Sequence, residues 1–166
     1  MPGLKGPSLP YPTRYKIPKE ECDEMKLTTY LNFGGNCAEA FKFYEKNLGG
    51  KLNMIMTYDQ MPPDPNVQPR PELAKYALHA SITIADTTIM ASDVPPERFE
   101  KIRSSYICLS ADSPQDAERL FKILSDGGEV YMPMAETFFA TKYGILRDKF
   151  GVSWMVIHDK PMGPPK

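Results

Sequence analysis

The chain has 166 residues with a formal charge of −1, 25% charged and 42% hydrophobic residues, 17 prolines and three cysteines. So even a charge excludes the clustered Lys and Arg that phosphate contacts demand, so nucleic acid is not an expected partner. No apolar run reaches the ~18 residues of a membrane span. Cys22, Cys37 and Cys108 form no CxxC pair and no disulfide framework, which points to a reducing, cytoplasmic setting.

Thirteen prolines are concentrated in three places: residues 1–24, the segment from Pro62 to Pro71, and Pro161 onward. That spacing predicts a leader over 1–24, one domain over 25–160 and a tail over 161–166. The remaining cluster, MPPDPNVQPRP (61–71), is expected to be a stiff loop lying over a cavity or a dimer interface.

In chain order, LTTYLNF (27–33) reads as a strand followed by a turn at Gly34-Gly35. Asn36 with Glu39 three residues on has the pattern of a capping box, and Cys37, Ala40, Phe41, Tyr44 and Leu48 form one apolar stripe of a helix. Gly49-Gly50 end it. Strands are expected over KLNMIMTYD (51–59), AKYALHASITIAD (74–86) and TTIMASD (87–93), with a tight turn at Asp86-Thr87 and a linker over 94–103.

The same order then repeats. SYICLSA (105–111) is a strand; Ser113 caps a helix with Pro114 at its first position, and Ala117, Leu120, Phe121 and Leu124 form its stripe. EVYMPM, TKYGILRD and VSWMVIHD supply three more strands. The fold class is therefore α+β, with two βαβββ modules at about 27–93 and 105–158. A single helix cannot cover both faces of a four-stranded sheet, so two such modules are expected to join into a cupped mixed sheet with helices outside and a cavity within.

The blocks YLNFGGNCAEAFKFYEKNLGG (30–50), ALHASITIADTTIMASD (77–93) and ETFFATKYGILRDKFGVSWMV (136–156) resemble the PhnB-like branch of the vicinal oxygen chelate superfamily, which includes glyoxalase I, fosfomycin resistance proteins, extradiol dioxygenases and bleomycin-binding proteins. The resemblance covers about residues 27–158 and implies a homodimer. In metal-dependent relatives it implies four His or Glu ligands, and the matching places here fall near Thr29, Met90, Tyr106 and Met155. None of these suits a hard divalent ion, so no cofactor is expected.

Two histidines remain. His79 shares a strand face with Ser81 and Thr83 in HASITI, and imidazole is the side chain most suited to proton transfer near neutral pH. It is either a cavity-facing base or a hydrogen-bonded structural group. His158 is expected at the surface. Asp93 and Glu136 are the carboxylates that would join His79 if their strand ends pointed into the cup, a set able to hold iron or manganese; the plainer readings are a turn cap and a solvated strand-edge acid. Cys37, at a helix start, is a position where a thiolate can be favoured. Six methionines, Met54, Met56, Met90, Met132, Met134 and Met155, fall on predicted strands, with Tyr106, Phe138, Phe139 and Trp154 as stacking surfaces.

Two functions follow as expectations. The first is a homodimeric protein that binds a small molecule between Met90, Tyr106, Phe138, Trp154 and Met155. The second is a metal-assisted lyase, isomerase or dioxygenase using His79 with Asp93 or Glu136. Methyl transfer is not expected, because no glycine-rich cofactor loop of the G-x-G-x-x-G type follows the first strand.

Overall fold

The computed structural model describes residues 27–63, 68 and 70–161. The expected leader, most of the tail and the middle of the proline cluster lie outside the described residues. Two modules are present. The first runs β1 (Thr29–Phe33), α1 (Cys37–Leu48), β2 (Lys51–Thr57), β3 (Ala77–Ile84) and β4 (Thr87–Asp93). The second runs β5 (Ile107–Ser110), α2 (Pro114–Ser125), β6 (Glu129–Ala135), β7 (Ala140–Arg147) and β8 (Ser153–Asp159). Their sheets have matching orders, β1-β4-β3-β2 and β5-β8-β7-β6, each with one parallel pair at the β1 or β5 edge.

Each helix covers one face of its own sheet. Cys37, Ala40, Phe41 and Tyr44 of α1 are buried, and Ala117, Leu120 and Leu124 of α2 are buried likewise; each large apolar side chain contributes about 1.5–3 kcal/mol. The helix-facing sides of the two sheets share a single core that contains Phe33, Ile82, Ile89 and Ala91 from the first module and Leu146, Trp154 and Val156 from the second. Tyr44 reaches across the boundary, with its ring 5.4 Å from that of Trp154 and 6.0 Å from that of Phe150.

Local chemistry departs from expectation at two turns, at Asn36 and between β3 and β4. Ser113 accepts the Asp116 N–H as an N-cap should, at 3.1 Å. Asn36 makes no side-chain cap bond. Its role is taken by Asp93 at the end of β4, whose carboxylate accepts the N–H groups of Gly35 (2.7 Å) and Cys37 (3.0 Å). The β3–β4 connection is Ala85-Asp86 instead of Asp86-Thr87, with Ala85 at φ 52°. After β7, Asp148 organises the turn by accepting from Phe150 and Val152 N–H.

Candidate functional site

The face of each sheet turned away from its helix is the place where this architecture can present side chains to a ligand, and the strand registers fix what stands there. On the first sheet Tyr30, Met90, Ser81 and Met54 form one row across all four strands. Beside it Asn32 is paired with Ser92 and His79 with Met56; continuing the β3–β4 register by one residue sets His79 next to Ser92. On the second sheet the corresponding rows are Cys108, Met155, Ile145 and Met132, then Ser110, Ile157, Tyr143 and Ala135. Met90 and Met155 hold equivalent places in the two modules.

A register irregularity in β2 between Leu52 and Met54 turns Asn53 onto the open face. There its amide donates to Ser81 Oγ at 3.2 Å and to Thr83 Oγ1 at 2.9 Å. Tyr30 Oη stands 3.5 Å from His79 Nδ1, long for a hydrogen bond, with the rings 6.1 Å apart. Ser92 Oγ donates to Asn32 Oδ1. Tyr30, Met54 and Met132 are 43–50% exposed, so among the described residues these faces remain open.

The expected site residues are not brought together. His79 is half-buried on the open face of the first sheet. Asp93 points to the opposite, helix side, is 2% exposed, and spends its carboxylate on Gly35, Cys37 and Ala77 N–H. The turn-cap reading is the one its geometry matches, enlarged to a brace between β1, α1 and β3. Glu136 belongs to the other module and is ion-paired with Lys160 at 2.6 Å, which holds its carboxyl below the usual range. Among the described residues no three His, Cys, Asp or Glu side chains converge in metal-binding geometry.

Of the expected ligand-contacting residues, Met90 and Met155 are at the centres of the open faces. Tyr106, just before β5, is 40% exposed. Trp154 is corrected: it faces the helix layer, 1% exposed, and its indole N–H donates to Asp148 at 2.8 Å. Phe138 is in the β6–β7 loop, 93% exposed and stacked edge-on against Phe139, which in turn meets Tyr143 of the open face. His158 is half-buried, not superficial, with Nδ1 at 2.5 Å from Thr141 Oγ1. Cys37 is also corrected: burial, aided by the Asp93 charge, pushes its thiol up to about 12, so the helix start does not activate it.

The four-ligand metal set that the resemblance implies is a poor fit to these side chains. Thr29 is in register with the buried Ile89 and so lies on the helix side, leaving Tyr30 beside Met90. On the second sheet Cys108 stands beside Met155. A phenol, a thiol and two thioethers do not make a site for a hard divalent ion. A separate cleft of about 570 Å³ lies between the modules, bounded by Gly34-Gly35, Phe99, Gly127-Gly128 and Lys149-Phe150. None of the expected site residues lines it.

Residues 25–157 match the family described as 3-demethylubiquinone-9 3-methyltransferase. The chain belongs to this PhnB-like family. It is 32% identical over 140 residues to the protein YjdN of Escherichia coli K12, a match spanning 80% of this chain and 94% of YjdN. Among solved structures, protein PA1353 from Pseudomonas aeruginosa has 37% identity and a TM-score of 0.74, covering 82% of this chain and 99% of that one. A PhnB protein from Bacillus cereus has 26% identity and a TM-score of 0.68, covering 81% and 99%. The two-module glyoxalase-like fold expected from the sequence is thus the family's fold, and the PhnB-like chain carries it over nearly all of its described length.

Proposed function

We propose that this PhnB-like chain is one subunit of a homodimer that binds a small molecule in a cup closed by the open sheet faces of two copies, without the four-ligand metal site. The observation that carries the reading is the pair of equivalent rows, Tyr30–Met90–Ser81–Met54 and Cys108–Met155–Ile145–Met132, on faces that neither described helix covers. Flexible thioethers adapt to irregular apolar surfaces, and aromatic and sulfur side chains left 40–50% exposed favour cover by a second molecule. Methyl transfer, named in the family's description, is not part of the reading: of the two glycines between β1 and α1, Gly35 gives its N–H to Asp93.

Sedimentation velocity of the purified chain tests it. A species of about twice 18.7 kDa is expected, and Met132→Lys with Ile145→Glu is expected to lower that mass to a monomer's. A wild-type monomer at micromolar concentration overturns the reading. The enzyme alternative retains His79 beside Tyr30, since Asp93 and Glu136 are engaged elsewhere; full turnover of a substrate by His79→Ala protein removes His79 as its catalytic group.

A further inference from the structure

Resting on that ligand-binding reading, we propose that the ligand enclosed by the open faces is uncharged, with a hydrogen-bonding edge against the first sheet and an apolar side against the second. The sixteen positions of the four cross-strand rows contain no Asp, Glu, Lys or Arg, although charged residues make up 25% of the chain. Among the described residues, charges on these faces stand at the sheet ends, where Lys51 is opposite Thr83, Arg147 is neutralised by Glu129, and Asp159, two residues beyond Ile157, is near enough to Cys108 for its charge to raise that thiol. An ion held at the centre of these faces would give up its hydration with no opposite charge among the sixteen row positions, a loss that disfavours it against an uncharged molecule.

The two faces are chemically unequal. On the first, the Asn53 amide is oriented by Ser81 and Thr83, so its Oδ1 is presented as an acceptor, and Tyr30 and His79 add a hydroxyl and an imidazole close by. On the second, Met155, Ile145 and Met132 run as an apolar strip across three strands. A flat or chain-like molecule carrying an amide, carbonyl or hydroxyl at one edge matches both. Asn53 is the specificity residue on this view, because the break in the β2 register between Leu52 and Met54 turns its amide inward, where Ser81 and Thr83 orient it.

The test uses 2-naphthamide and 2-naphthoate, which share a shape and differ in charge, titrated calorimetrically into the full chain, with sedimentation velocity on the same sample. The amide is expected to bind roughly tenfold more tightly, the scale of one hydrogen-bonding mismatch. Asn53→Leu is expected to weaken 2-naphthamide while leaving naphthalene unchanged, a contrast that a merely structural role would not produce. If that variant does not fold, the wild-type pair decides. Equal or tighter binding of 2-naphthoate overturns the inference and leaves the binding reading standing. Binding of neither also overturns it; a dimeric sample then confines the failure to the ligand class, and a monomeric one removes the reading as well.

Discussion

The Tyr44 hydroxyl donates to Asp148 Oδ2 at 2.6 Å, joining a helix of the first module to a turn of the second through a contact 104 residues apart in the chain. Asp148 is 4% exposed and also accepts from Trp154 Nε1, Phe150 N–H and Val152 N–H, so its buried charge is fully partnered. Tyr44→Phe removes one bond to a charged group and is expected to cost about 1.5–3 kcal/mol. Asp148→Ala strands four buried donors and should cost more, about 3–5 kcal/mol. Urea unfolding of both variants measures this, and equal losses would contradict it.

The same region sets an alkaline limit. Burial raises Cys37 to about 12, and burial with the Asp148 charge raises Tyr44 well above its ordinary value. A raised folded-state pKa gives stability that is complete below the unfolded value and is lost as pH climbs through the folded one. Stability is therefore expected to fall from about pH 9 upward, first through Cys37 and then through Tyr44. Cys37→Ala should flatten the first part of that decline in unfolding curves recorded between pH 8 and 11.

Thiol chemistry separates the two described cysteines. Cys37 is wholly buried and Cys108 exposed. In the monomeric Met132→Lys, Ile145→Glu variant iodoacetamide at pH 8 is expected to modify Cys108, and Cys37 only after denaturation, as read by peptide mass mapping, whereas the native dimer should protect Cys108.

The two helix starts predict opposite sensitivities. Ser113→Ala loses a working cap and should cost about 1 kcal/mol, whereas Asn36→Ala should cost only a few tenths. Asp93→Asn, which offers one acceptor oxygen where three N–H groups need two, should cost about 2–4 kcal/mol.

Gly144 has no room for a side chain: a Cβ there would lie 2.5 Å from the Phe121 ring. Gly144→Ala is expected to destabilise by about 1–3 kcal/mol, and Phe121→Leu in the same chain should recover part of that loss. A double variant no better than Gly144→Ala alone would show that the backbone, not the ring, resists the methyl.

Most of the architecture was legible because each element announces itself locally. The apolar stripes of 37–48 and 114–125 and the alternation in HASITI depend on neighbours within a few residues. The cap at Asn36 misled because its competitor, Asp93, is 57 residues away in sequence. Trp154 was misplaced because strand alternation gives two faces without saying which one the helix covers, and Tyr44 with Asp148 decides that only in three dimensions. Asn53 was invisible for a different reason: a bulge changes the face of one residue and leaves no compositional mark.

The parallel pairing of β1 with β4 gives the first module a particular order of assembly during synthesis. β1 emerges early, yet its one sheet partner is the last strand of the module, with Thr29 waiting for Ile89. Until Asp93 leaves the ribosome, the turn at Gly35, the start of α1 and the head of β3 all lack the carboxylate that ties them together. The module therefore closes in one late step, gated by its final residue, and a nascent chain halted before that point carries a helix and a hairpin with no finished sheet.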